Sequence, residues 1–397
     1  MFSYDICTIG GCGRVGLPLS IAFADKGLKV VIYDLDESRK ARVREGIMPF
    51  MEEGCDEKLK RLTGRNLKIA DDLRAVGQSK FVIVTIGTPV EEHLNPLYPA
   101  MITFFQNLLP QLVPDQYIIL RSTVYPGTTE RINKFLKNSG VNVHVAFCPE
   151  RIVEGKALPE LENLPQIVSA FDRQTAREVA GLFRKLTPDI VITEPAEAEM
   201  AKLFTNTWRY IRFAAANQFY LLADSYGLDY HRIYQAMTHN YPRTQDLPGP
   251  GFAAGPCLFK DTMQLAAFSA NTFFLGYAAM LINEGLPNHI LQKLKQQTGL
   301  ADKKVGILGM AFKANSDDER DSLSFKLKRL LEAEAGRVYC TDPYVKRDYF
   351  IPAEELVEIC DIIIVACPHD DYRALKIKED KMLVDIWNFY NRKGVLE

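Results

Sequence analysis

The segment Gly249-Pro250-Gly251-Phe252-Ala253-Ala254-Gly255-Pro256-Cys257-Leu258-Phe259-Lys260-Asp261 delivers one thiol from a glycine-rich loop to the start of a helical pattern. A neighbouring cation and a helix N-terminus both favour a thiolate, so Cys257, beside Lys260 and Asp261, reads as a nucleophile. Seven other cysteines lie scattered at 7, 12, 55, 148, 340, 360 and 367. None forms a CxxC pair and no His/Cys cluster has metal-ligand spacing, so no metal is expected and most of these thiols read as reduced core residues of a cytosolic protein.

A second constellation precedes the loop. Glu199, Lys202, Asn206, Arg209, Phe213 and Asn217 recur at spacings of three and four, which places them on one face of a helix. A polar stripe is ordinarily a solvated surface. This one carries Lys, Asn and an aromatic residue in place of Glu/Lys pairs, which suits a site where an oxyanion meets fixed donors.

Near the N-terminus, Gly11-Cys12-Gly13-Arg14-Val15-Gly16 follows an apolar run and opens a helical pattern. Gly11 would allow the tight turn, Gly13 the approach of a pyrophosphate and Gly16 close helix packing. Asp34 stands 18 residues after Gly16, at the end of the next apolar run, where a carboxylate can bind ribose hydroxyls. Leu35 and Asp36 follow it, with no Arg immediately after, so a 2′-phosphate would be repelled and NAD is expected over NADP. The C-terminal third repeats the strand, turn and helix opening without the fingerprint. Lys313, in Met310-Ala311-Phe312-Lys313, takes the place of the glycine cradle and suits a different diphosphate.

The elements that must hold these groups follow from periodicity. YDICTIG, KVVIYDL, FVIVTIG, QYIILRST and VHVAFCP read as strands alternating with helices, which predicts a parallel sheet covered on both faces. KKVGILG, GRVYCTDP, DIIIVAC and KMLVDIW repeat the rhythm. From Ala196 to Tyr226 there is neither Pro nor Gly, which predicts one helix of 31 residues, roughly 46 Å at about 1.5 Å per residue. The expected fold is α/β, two Rossmann-like doubly wound domains (1–195 and 299–397) joined by a central long-helix all-α domain (196–298). Leu265 to Ile282 is 18 residues without a charge, but Ser269, Asn271 and Thr272 interrupt it, so it reads as a buried helix and no membrane partner is expected. The N-terminus lacks the features of a signal peptide. A formal net charge of -2 with interspersed signs leaves no footprint for a nucleic-acid partner.

Further segments complete an order of motifs: Ser122-Thr123-Val124 with Pro126-Gly127-Thr128, Cys148-Pro149-Glu150-Arg151-Ile152-Val153-Glu154-Gly155, Phe312 to Arg320, and Asp342-Pro343. With these the chain resembles the UDP-glucose/GDP-mannose dehydrogenase family from Gly11 to about Asn388. The resemblance implies a four-electron oxidation of a sugar C6 hydroxyl to a carboxylate with NAD as cofactor, through a thiohemiacetal and a thioester on Cys257. It implies that Lys202 and Asn206 hold the C6 oxygen, that Asp261 and a water handle its proton, and that Glu150 and Thr123 steer the hydrolytic water. NAD would be held by Gly11, Gly13, Val15, Gly16, Asp34, Thr88 and Thr123. The UDP-sugar would meet Glu150, Arg151, Glu154, Lys202, Asn206, Arg243, Gly255, Lys313 and Arg320. A homodimer on the long helix, with Arg243 reaching the partner's site, is implied as well.

The chain departs from the family pattern in two places. The loop reads AAGPC around Cys257 in place of the usual GGSC or GGHC, and Trp387 stands where many members carry Arg, which puts a substrate contact in doubt. Arg151 after Pro149-Glu150, and Tyr241-Pro242-Arg243, look like members acting on UDP-N-acetylhexosamines, so a sugar of the N-acetylmannosamine type is expected. Lys260-Asp261 is similar to the UDP-glucose group. Two rivals stand beside this reading: a two-electron hydroxyacid dehydrogenase, which gives Cys257 no role, and a non-catalytic nucleotide-binding scaffold.

Overall fold

Apolar runs bounded by turn residues form two sheets in a computed structural model, which describes residues 2–87, 98–253 and 255–391. The first sheet has eight strands: β1 Tyr4–Ile9, β2 Val30–Tyr33, β3 Leu67–Ile69, β4 Ser79–Val84, β5 Tyr117–Leu120, β6 His144–Phe147, β7 Gln166–Ala170 and β8 Ile190–Thr193. Their order is β3-β2-β1-β4-β5-β6-β7-β8. The second sheet contains β9 Lys304–Leu308, β10 Arg337–Thr341, β11 Ile362–Val365 and β12 Met382–Val384, ordered β10-β9-β11-β12. In each, the chain reverses direction of build beside the first strand, between β1 and β4 or between β9 and β11. That is the switch point at which doubly wound sheets bind ligands.

All nine runs singled out from sequence are strands. Pairing is parallel except between β6 and β7, where Ala146 faces Ala170 and Phe147 faces Ser169 in antiparallel register. The five runs read from sequence thus pair parallel as expected, and the antiparallel pair brings in β7, which the sequence reading did not include. After β6 the short Ala157–Asn163 helix packs on the Gly16–Asp25 helix and does not recross the sheet, so the chain returns in the opposite sense. The sequence reading missed β3, only three residues long, and β7 and β8. Edge strand β8 exposes both Val191 and Ile192, so it has no alternating pattern.

The chain divides into two compact units, Met1–Phe204 and Thr205–Glu397. In the first, alternate residues of one strand feed opposite faces. Ile6, Val30, Ile32 and Ile83 pack with Leu17, Ile21 and Phe23, while Cys7, Val31, Val82 and Ile118 pack with Phe105, Ile132 and Leu136. Burial on both faces is what makes such strands read as continuous apolar runs. In the second unit Val305, Ile307 and Ile364 pack with Leu323, Leu327 and Leu331, and Ile363, Val365 and Leu383 with Leu356 and Tyr372.

The long helix runs Pro195–Ser225, one residue earlier than expected, with Gly227 at φ 66° just past its end. No strand occurs between β8 and β9 among the described residues. Leu265 to Ile282 is not one buried helix. A helix Leu258–Phe268 ends, the chain turns through left-handed Ala270 and Asn271, and a second helix runs Phe274–Gln297. Thr272 Oγ1 donates to Ser269 O at 2.6 Å, and the Asn271 N–H donates to Ala266 O, so the interrupting residues close off the first helix locally. Phe274 and Leu281 are 78% and 67% exposed, which removes the buried character expected there. Among the described residues no helix is long and apolar enough to cross a membrane.

Candidate active site

The turn after β1 is built for close approach. The residue in left-handed conformation is Gly10, at φ 73°, not Gly11 as expected. Gly11 is required by packing: a Cβ there would lie 2.8 Å from Ile32 Cγ2 and 2.9 Å from Thr8 O. A Cβ on Gly16 would lie 2.6 Å from Thr85 Oγ1, whereas one on Gly13 would meet only Gly10 O, at 3.4 Å. Gly13 therefore keeps its open side for a ligand. Val15 is the residue before the Gly16–Asp25 helix. Asp34 Oδ2 accepts the Cys12 N–H at 2.8 Å, and its Oδ1 accepts the Asp36 N–H at 3.0 Å. A cavity of about 450 Å³ opens here, lined among others by Gly13, Asp34, Leu35, Arg39, Leu73 and Thr85. The glycine cradle, helix N-terminus and half-buried carboxylate fit a dinucleotide. Arg39, Leu73 and Thr85 were not anticipated; a basic residue in the first turn after Asp34 was the signal available for Arg39. Thr88 lies outside the described residues.

Around β5 and β6 a buried guanidinium organises the second expected segment. Arg121 is fully buried and makes five hydrogen bonds to four acceptor atoms. Nε and Nη2 reach Glu150 Oε2 at 3.0 and 2.6 Å, Nη2 also Gln166 Oε1 at 2.9 Å, and Nη1 the carbonyls of Cys148 and Pro149 at 2.9 and 3.3 Å. The other Glu150 oxygen accepts the Arg151 and Ile152 N–H groups at 2.7 and 3.0 Å. Glu150 thus holds the turn that carries Arg151, whose guanidinium donates to Pro165 O. Glu154 lies 3.8 Å from Arg14 of the glycine turn, so it faces the cofactor cradle. Thr123 is half-buried just after β5.

The polar stripe of the long helix is not solvated. Glu199, Lys202, Asn206 and Asn217 are all buried, and Arg209 and Phe213 half-buried. Glu199 accepts the N–H groups of Gly127 and Thr129 at 2.6 and 2.8 Å and the Thr129 hydroxyl at 2.5 Å. Burial raises its carboxyl above the usual range and outweighs these bonds. Asn206 Nδ2 donates to Asp261 Oδ2 at 2.6 Å, while Asp261 Oδ1 lies 3.7 Å from Lys260 Nζ. Lys202 precedes Asn206 by one helical turn. Asn217 pairs with Gly251 in both directions, Nδ2 donating to its carbonyl at 3.0 Å and Oδ1 accepting its N–H at 2.8 Å.

Cys257 immediately precedes the Leu258–Phe268 helix and is exposed. The other seven thiols are buried. Burial pushes Cys7, Cys12, Cys55, Cys148 and Cys340 up to about 12 and Cys360 to about 11, and holds Cys367 well above the ordinary value. Gly255, at φ 102°, has no room for a side chain, since a Cβ would lie 2.6 Å from the Phe312 ring. Trp387 lies against Gly251, so it supports the same loop. Arg243 is exposed and leans on the Tyr241 ring, 5.6 Å from its centroid.

In the second sheet Asp342, just after β10, repeats the role of Asp34. Its Oδ2 accepts the N–H groups of Met310 and Ala311 at 2.7 and 2.9 Å, and its Oδ1 those of Tyr344 and Val345, both at 2.8 Å. Burial works to raise this carboxyl, but His369 and the backbone donors prevail and hold it below its usual value. Lys313 is half-buried in the turn, and Arg320 is paired with Asp318 at 2.6 Å. A cavity of about 500 Å³ opens beside Gly255, Ser322 and Lys326.

A glycine turn open to a pyrophosphate marks a dinucleotide-dependent oxidoreductase, and comparison with known proteins resolves the class further. Models of the UDP-glucose/GDP-mannose dehydrogenase family match in three parts: its NAD binding domain over residues 4–187, central domain over 196–284 and UDP binding domain over 306–392. The UDP-N-acetyl-D-mannosamine dehydrogenase of Pyrococcus horikoshii is 30% identical over 94% of this chain and 93% of its own length. That of Methanocaldococcus jannaschii is 30% identical over 98% and 93%. The structure of the Pyrococcus horikoshii UDP-D-ManNAc dehydrogenase superposes with a TM-score of 0.87 at 29% identity, covering 94% of this chain and 91% of that one. A UDP-glucose dehydrogenase from Pyrobaculum islandicum gives 0.88 at 27%, covering 96% and 93%.

The chain belongs to the UDP-glucose/GDP-mannose dehydrogenase family and is an NAD-dependent nucleotide-sugar dehydrogenase. That membership sets aside the hydroxyacid and scaffold readings. With Asp34 and Asp36 at the adenosine end, kcat/KM for NAD should exceed that for NADP by roughly a hundredfold, the scale of a like-charge contact costing several kcal/mol. Asp34→Asn should narrow the gap in steady-state assays, and a wild-type preference for NADP would refute the assignment of Asp34.

Proposed function

We propose that the chain oxidises the C6 hydroxyl of a UDP-N-acetylhexosamine, of the N-acetylmannosamine type, to the carboxylate in two steps joined by a bond to Cys257. The observation that carries this is the exposed thiol at a helix start, one helical turn before Asp261 of a buried Asn206–Asp261 pair. NAD, when bound, accepts the hydride of each oxidation. Lys202 and Asn206 donate hydrogen bonds to the C6 oxygen, and Asp261 Oδ1 takes up the hydroxyl proton, directly or through water. The thiolate of Cys257 adds to the aldehyde carbon and forms a C–S bond. The second oxidation turns this thiohemiacetal into a thioester, and water cleaves the C–S bond to release the carboxylate and the thiol. Two oxidations without release of the aldehyde need such a tether. Arg121, through Glu150, fixes the turn from which Arg151 meets the substrate, and Thr123 approaches it from the end of β5. Lys313 and Arg320 bind the diphosphate, with Gly255 beside them.

The names of the two relatives at 30% identity support the N-acetylated sugar, and so does Arg151 after Glu150. The Pyrobaculum islandicum likeness and Lys260-Asp261 favour UDP-glucose as a second reading. Cytoplasmic residence accords with eight free thiols. We also infer a homodimer. Trp208, Phe219 and Leu222 lie on one face of the long helix, 57%, 42% and 49% exposed, an apolar stripe suited to an isologous contact.

UDP-N-acetylmannosamine should give a higher kcat/KM than UDP-glucose and release two NADH per sugar. A higher value for UDP-glucose, or one NADH per turnover, would decide against the substrate or the mechanism respectively. Cys257→Ser should stay folded, bind nucleotide and lose uronate formation by roughly a thousandfold or more, because a serine hydroxyl is a poor nucleophile near neutral pH. Near-normal uronate formation by that variant would place the nucleophile elsewhere. Light scattering should show a dimer that Trp208→Glu converts to monomer; a stable, active wild-type monomer contradicts the interface.

A further inference from the structure

His369 is fully buried behind the turn that follows β9, and both its ring nitrogens are engaged. Nδ1 lies 3.0 Å from the backbone nitrogen of Asn315, and Nε2 lies 3.1 Å from Asp342 Oδ2. A backbone N–H can only donate, so Nδ1 must accept. A carboxylate can only accept, so Nε2 must carry the proton. The geometry therefore selects the neutral ring with its proton on Nε2. Asn315 itself is in the left-handed region, at φ 54°, and is gripped from its other side by Asp370. Asn315 Nδ2 donates to Asp370 Oδ2 at 2.6 Å, and Asp370 N–H donates to Asn315 Oδ1 at 3.0 Å. Asp342 and His369 together tie down Met310, Ala311 and Asn315, which bracket Lys313.

We infer that His369 is a positioning residue for nucleotide-sugar binding: its neutral ring holds the Met310–Arg320 turn in place, and uptake of a second proton frees Asn315 and loosens that turn. Protonation keeps the bond to Asp342 but sets two N–H donors against each other at Nδ1. The inference rests on the reading that Lys313 and Arg320 meet the diphosphate.

The surrounding groups do not share this behaviour. Asp342 and Asp370 are held below their usual range, the latter by Asn315 and Arg373. Tyr344, whose ring centroid lies 5.2 Å from that of His369, is pushed up to about 12, and Tyr372, at 5.6 Å, is raised further. Cys367, which faces Lys313, is raised by burial, and Asp371 accepts the Tyr344 hydroxyl. Imidazole is the side chain that ordinarily changes charge near neutral pH.

Calorimetric titration of the full chain with UDP-N-acetylmannosamine and UDP-glucose, without NAD, reads the effect; neither sugar nucleotide itself titrates in this range. Wild-type affinity should fall roughly three- to tenfold from a higher pH, with the ring neutral, to a lower pH at which it holds its second proton, the scale of one lost hydrogen bond. His369→Gln cannot titrate yet can donate to Asp342, and should abolish that dependence. His369→Phe should bind weakly at both pH values, and NAD affinity should stay constant throughout. Hydrogen exchange supplies a readout without ligand: after correction for intrinsic rates, Asn315 should lose protection at the lower pH in the wild type but not in His369→Gln. Equal loss of protection in that variant overturns the inference, as does wild-type affinity in a folded His369→Phe. Failure of both sugars to bind at the higher pH, with the exchange result intact, would count against the substrate and leave the role of His369 standing.

Discussion

A carboxylate just past the second strand, accepting backbone N–H groups from the turn after the first, is the contact on which both α/β units depend. Those N–H groups must point out of the sheet end, where no strand neighbour satisfies them, and a fixed acceptor is what keeps the turn in one conformation. Asp34 and Asp342 occupy this place, and Gly10 and Gly309, both left-handed at φ 73° and 90°, open the two turns. The same device is put to different ends. Asp34 takes one amide from the turn and stays half-buried, with a face left for ribose hydroxyls. Asp342 takes four amides and is buried, so it can only brace its turn. With its carboxylate spent on the backbone, the second turn has no need of the second and third glycines of the fingerprint, and Lys313 stands half-buried in their place.

Periodicity made the architecture legible because most strands are buried on both faces and read as unbroken apolar runs. It failed where that condition lapsed, at short β3 and at edge strand β8. It also failed at Leu265 to Ile282, where an uncharged run continues across the local hydrogen bonds of Ser269, Asn271 and Thr272 that end a helix. In the site, placement that is local in sequence was readable: Gly13 lies in the turn after β1, Asp34 just past β2 and Cys257 at a helix start. Arg121 and His369 were not readable. Their partners lie as far as 29 and 54 residues away, and nothing in the spacing distinguishes a guanidinium with five buried hydrogen bonds from a solvated one. Glu154 shows the converse, since its neighbours in sequence suggested substrate while its side chain faces Arg14.

The stripe on the long helix shows why a polar face can be buried without loss of stability. An unsatisfied amide or carboxylate in a core costs a few kcal/mol, so each must find partners, and here the partners are loops and the first turns of helices. Glu199 takes the Gly127–Thr129 turn, Asn206 takes Asp261 next to the thiol's helix start, and Asn217 takes Gly251 at the head of the Cys257 loop. Loops free to move would leave these groups without partners, so the cost of burying them becomes the force that fixes the loops. Lys202 sits buried in the same row, one turn before Asn206.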